Sequence, residues 1–142
     1  YYNSLKDLGK AATMVDDDVK DFMKRMCYRL KSNVEVRKIG TADELTSRVS
    51  TTQLNQTLDK LEKNEYSTEN MQKHVPPYPC NVLLATNMIS VGIDVARLNV
   101  MLLVGQPKLT SEYIQASSRV GREFPGVAFT MYDGGKSRDR SH

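Results

Sequence analysis

Two short apolar runs restrict the fold of this chain more than any other feature. Val82-Leu83-Leu84-Ala85-Thr86 and Val100-Met101-Leu102-Leu103-Val104 are too short for helices, and each is bounded by polar or turn-forming residues. Continuous apolar runs of this kind predict strands buried on both faces of a parallel sheet. A small polar loop ending in Gly92-Ile93-Asp94 lies between them. After Gly105-Gln106-Pro107 a helix-like segment delivers Gln115, Arg119 and Arg122 at spacings of four and three residues, on one face or at its end. Ligands of open parallel sheets sit outside the carboxyl ends of the strands, and Thr86 and the loop through Asp94 occupy that edge.

Arg119 and Arg122, with Gly121 allowing close backbone approach, can place planar forked donors on a polyphosphate whose charge grows during transfer. They are arginine-finger candidates.

These residues carry a resemblance. ATNMISVGID (85–94) is similar to motif V of superfamily 2 helicases, and QASSRVGR (115–122) to their motif VI. Asn87, Val91, Gln115 and Ser118 depart from the DEAD-box branch. The whole chain, including ELTSRVS (44–50), LNQTLDKLE (54–62) and YDGGKSRDRSH (132–142), most resembles the helicase of DISARM-type phage-defence systems. Tyr2, Asn3 and Ser4 resemble motif IV, with Ser4 reading equally well as a helix cap.

A length of 142 residues implies one domain large enough for a core, and 39% apolar with 26% charged residues is an ordinary globular composition. A net charge of +3 fits a polyanion-binding face without requiring one. Cys27 and Cys80 form no metal or disulfide spacing and read as reduced thiols of a cytoplasmic protein. No run reaches membrane-spanning length. The chain lacks an initiator Met and is expected to be a piece of a longer protein.

Asp16-Asp17-Asp18 reads as the dipole-favoured start of a helix over 19–30, with Phe22, Met26 and Leu30 as its stripe. Residues 33–39 read as a loose strand. Ser50 with Gln53 has capping-box spacing, and Leu54, Leu58 and Leu61 follow as the stripe of an amphipathic helix. Thr46, Ser47 and Arg48 stand before that cap, where hydroxyls and a guanidinium suit a nucleic-acid phosphate; a cap plus a solvated arginine is the alternative. Residues 63–79 read as a connection without regular structure, His74 as a solvated loop residue, 126–132 as a strand and the tail as mobile. Gly135-Lys136-Ser137 is not a P-loop, because Thr130 stands where its first glycine belongs.

The expected fold is therefore α/β and RecA-like, a central, mainly parallel sheet flanked by helices, with 1–142 as a helicase C-terminal (second RecA-like) domain. The resemblance implies the second motor domain of an ATP-dependent helicase or translocase. ATP and Mg2+ would be held mainly by the first RecA-like domain, so this piece alone would be inactive. By the same resemblance, Arg119 and Arg122 stabilise the transferred phosphoryl group and Gln115 positions the γ-phosphate or attacking water. Gly92 and Asp94 lie against the ribose or couple the site to nucleic acid, and Thr86, Thr46, Ser47 and Arg48 grip a backbone, DNA rather than RNA. Without the resemblance, Asp94 is an ordinary turn or cap residue. Defence-system proteins are possible partners. A non-catalytic binding or docking module that keeps the fold is the rival, and an independent hydrolase is disfavoured by the missing P-loop.

Overall fold

The computed structural model describes residues 1–30, 36–86 and 95–141. Strand β1 (Asp43–Leu45) pairs in parallel with β2 (Leu83–Ala85), Leu45 opposite Ala85. Strand β3 (Val100–Val104) pairs in parallel with β4 (Val127–Met131), Val104 opposite Met131. Tyr1 and Tyr2 join the two ladders. The Tyr2 amide donates to the Ala85 carbonyl at 2.8 Å and the Val104 amide to the Tyr1 carbonyl at 3.0 Å, while the Tyr1 nitrogen donates to the Leu102 carbonyl at 2.7 Å. One hydrogen-bonded array thus runs β1, β2, Tyr1–Tyr2, β3, β4.

Side-chain alternation along these strands sends residues to two faces. Tyr2 and Leu84 point to the face covered by α1 (Leu5–Met14), whose Leu8 and Ala11 complete that cluster. Tyr1, Leu45, Ala85, Met101 and Leu103 point to the other face, where Leu61 of α3 (Thr51–Lys63) and Ala116 of α5 (Thr110–Ser117) close over them. Leu8, Leu45 and Leu103 are wholly buried, and each side chain so removed from water contributes about 1.5–3 kcal/mol.

The sheet is not covered throughout, which corrects the expectation that both apolar runs are buried on both faces. Helix α1 lies over β2, Tyr2 and Val104 and stops there, so Val100 is 72% and Leu102 39% exposed, alternating with buried Met101 and Leu103.

Helix α1 starts at Ser4, whose hydroxyl accepts the Asp7 amide at 3.1 Å. It meets no breaker and continues through a π-helical segment (Val15–Val19) into α2 (Lys20–Arg29). The acidic triplet is therefore inside a continuous helix and not at its start. The dipole cannot explain it there; Asp16 instead pairs with Lys20 at 2.6 Å. In α2, Phe22 and Leu30 are exposed, Met26 is half-buried and no residue is fully buried, so the stripe read from the sequence is not a core-facing one.

The capping box forms as read: the Gln53 amide donates to Ser50 Oγ at 3.3 Å and the Ser50 amide to Gln53 Oε1 at 3.3 Å. Residues 63–79 contain a helix the sequence reading left out, α4 (Thr68–Lys73), capped by Ser67 and anchored by Met71. His74 ends it in the left-handed region, φ 55°, and its carbonyl accepts the Tyr78 hydroxyl at 2.5 Å. Of the strand expected at 33–39, residues 33–35 lie outside the described residues and 36–39 have no regular structure. Strand β1 falls later, at Asp43–Leu45.

Neither cysteine is in a disulfide, and both are half-buried. Burial first, and the Asp43 carboxylate second, push the Cys80 thiol up to about 12. Among the described residues no helix is long and apolar enough to cross a membrane.

Candidate functional site

The parallel ladders bring their carboxyl ends to one edge, where Thr46, Thr86 and the Gly105–Gln106 turn lie. The exit of α5 lies instead at the amino ends of β3 and β4, the Gly121 amide donating to the Leu98 carbonyl at 2.9 Å. Because Leu45 stands opposite Ala85, the next residues, Thr46 and Thr86, adjoin. Both are buried, at 1% and 7% exposure, and the Thr86 amide donates to the Leu45 carbonyl at 3.4 Å. From Thr46 the chain turns sharply, the Val49 amide donating to the Thr46 carbonyl at 3.2 Å, and leaves Ser47 and Arg48 exposed before the Ser50 cap.

Arg48 is exposed but paired. Its Nε donates to Glu44 Oε1 at 2.5 Å and its Nη2 to Oε2 at 2.6 Å, a two-pronged pair. The Thr46 hydroxyl donates to the same Oε1 at 2.5 Å. The bond from Arg48, and then that from Thr46, hold the Glu44 carboxyl below the usual range. Glu44 was not among the residues singled out from the sequence, because a strand residue paired with a loop residue leaves no periodic signal.

The second group follows β3. Gly105 turns the chain at φ 81°, where a Cβ would stand 3.2 Å from Asn3 Nδ2. The peptides of Gln106 are then held from both sides: Asn3 Nδ2 donates to its carbonyl at 3.0 Å, and its amide donates to Asp139 Oδ1 at 2.9 Å. Asp139 Oδ2 takes the Asp133 amide at 2.7 Å. Those two amides hold the Asp139 carboxyl below its ordinary value. The tail expected to be mobile is thus fastened to the turn that enters α5, ending in a 3-10 helix (Asp139–Ser141).

Helix α5 presents Gln115 to solvent and ends at Ser117. The Ser117 and Ser118 hydroxyls donate back to the Ile114 and Gln115 carbonyls, at 3.3 and 3.0 Å, and loosen the last turn. Arg119 and Arg122 therefore follow the helix and do not share its face. Arg119 is half-buried; Arg122 is exposed, its Nε donating to the Ser118 carbonyl at 3.2 Å. Gly121, at φ 76°, makes its close approach to the backbone of Gly126 at the start of β4, where the sequence reading had supposed a polyphosphate. Gly92 and Asp94 lie outside the described residues.

The helicase conserved C-terminal domain matches residues 22–123. This chain belongs to that family. The helicase domain is 44% identical over all 142 residues to the DISARM protein DrmA of Bacillus paralicheniformis, and spans 12% of that relative's length. Its parallel strands with helices on both faces are those of an α/β, RecA-like fold.

Among the described residues of the helicase domain no group of three or more His, Cys, Asp or Glu side chains could hold a metal ion. Donors to an anion are present: the guanidinium groups of Arg119 and Arg122, with the Gln115 amide one turn earlier.

Proposed function

We propose that this domain is the second motor domain of an ATP-dependent helicase or translocase acting on DNA in the cytoplasm, within bacterial phage defence. The observation that carries this reading is the succession Gln115, Arg119, Arg122 at the exit of α5 in a chain that matches the helicase C-terminal domain. ATP would supply the phosphoryl group, and Mg2+ would be held by the first motor domain.

What this chain's residues contribute follows from their chemistry. Arg119 and Arg122 direct guanidinium donors toward charge that develops when the two motor domains close. Gln115 positions the terminal phosphate or the attacking water, and Gly92 and Asp94 flank the ribose. Thr86, Thr46, Ser47 and Arg48 grip the nucleic-acid backbone, so binding is indifferent to sequence and weakened by salt. The first motor domain, a nucleic acid and defence-system proteins are the partners.

The test is ATP hydrolysis by the full-length protein with single- and double-stranded DNA and RNA. Stimulation by DNA supports the reading. Nucleic-acid binding with no stimulated hydrolysis would replace it with a non-catalytic binding module.

A further inference from the structure

Glu44 occupies the groups assigned to the backbone grip. Its two carboxylate oxygens take the Nε and Nη2 of Arg48 at 2.5 and 2.6 Å, and the Thr46 hydroxyl donates to the first of them. Three donors converge on one anionic group about the size and charge of a phosphate edge. The side chains remain open to exchange: Arg48 is 51% and Glu44 24% exposed. A polar groove between β1 and α3, lined by Glu44, Arg48, Gln53 and Gln56, adjoins them.

We propose that Glu44 is an internal competitor for the nucleic-acid backbone: its carboxylate fills the Arg48 and Thr46 donors in the free protein and must be displaced by a phosphate. This rests on the backbone-grip reading of Thr46 and Arg48. The pair would be exchanged, so each strand contact formed there costs one ion pair within the protein. Weak, releasable contact is what a motor that shifts its grip along a strand requires. Glu44 therefore sets affinity without contacting the strand.

The experiment is a double-mutant cycle on the full-length protein, with fluorescence anisotropy of a labelled single-stranded oligodeoxythymidylate as readout and circular dichroism melts as the fold check. Glu44→Gln keeps the shape and removes the charge, and it should bind roughly 2- to 5-fold more tightly than wild type, the range of a half-exposed ion pair. Arg48→Ala, with Arg48→Gln as a second form that retains the side-chain body, should bind more weakly, and Glu44→Gln should add nothing in either background. Glu44→Gln binding no better than wild type, while Arg48→Gln binds worse, would show that Glu44 supports Arg48 and overturn the competition. A gain that persists without Arg48 would mark a general charge effect and overturn it equally. Wild-type affinity in both Arg48 variants would overturn the grip itself.

Discussion

Asp139 holds the amide of Gln106 at 2.9 Å and, through its other oxygen, that of Asp133 at 2.7 Å. One carboxylate thereby joins the end of β4 to the turn that launches α5. Asp139→Ala is expected to lower the melting temperature by several degrees and to speed hydrogen exchange over 106–113 before other segments. Asp139→Asn should do so less, because its amide oxygen still satisfies one of the two donors while its NH2 faces the other. Unchanged exchange over 106–113 would show that the turn is held without Asp139, by the Asn3 and Arg138 bonds to the Gln106 carbonyl.

Arg119→Ala and Arg122→Ala in the full-length protein should each lower kcat for stimulated ATP hydrolysis by about 10³- to 10⁵-fold, the range of an arginine finger. Oligonucleotide affinity should stay within a few-fold of wild type. Full activity in either variant would remove that residue from the reaction.

Gly126 and Gly121 are packed backbone to backbone. A Cβ on Gly126 would stand 2.6 Å from the Gly121 nitrogen, and relief requires moving the start of β4. Gly126→Ala is expected to cost about 1–3 kcal/mol. Gly9, in α1, has nothing within 4 Å of its added Cβ, and Gly9→Ala should stabilise by about 0.5–1 kcal/mol. Urea denaturation of both variants checks the opposed signs.

Three carboxylates are held below their ordinary values in the folded chain: Asp139 by two backbone amides, Asp7 first by the Ser4 hydroxyl and then by Lys136, and Glu44 first by Arg48. A lowered folded pKa means that the stabilisation is complete above the unfolded value and is lost as pH falls through the folded one. Thermal stability should fall as pH drops below about 4. Asp139→Asn should lessen the slope of the acid limb; an unchanged slope would show that this carboxylate is not among its causes.

Much of the fold around the candidate site was legible because its signals are local. The Ser50–Gln53 box, the β3 run and the motif residues 115–122 each occupy one short stretch. The spacing of 115, 119 and 122 fits a shared helical face or the helix end, and the structure takes the second because serine hydroxyls compete with the helix ladder, an effect that spacing does not register. Strand β1 was missed because Asp43-Glu44-Leu45 is polar, and only its pairing with Leu83–Ala85 makes it a strand. Helix α4 was missed because Pro76-Pro77-Tyr78-Pro79 beside it overshadowed the Ser67 cap.

By itself the sequence determined the class of fold, the β2 to β3 spacing, the capped α3 and the identity of the motif residues, all of which depend on neighbours within a few positions. Only the tertiary structure decided that Glu44 would fill the donors of Arg48, that Asp139 would hold Gln106, and that Gly121 would face Gly126. The Asp139 contact depends on where the chain returns, and the other two, though only a few residues apart, depend on the backbone turn that folds each short stretch onto itself. A carboxylate can be recognised as a partner only when the fold has placed it within hydrogen-bonding reach.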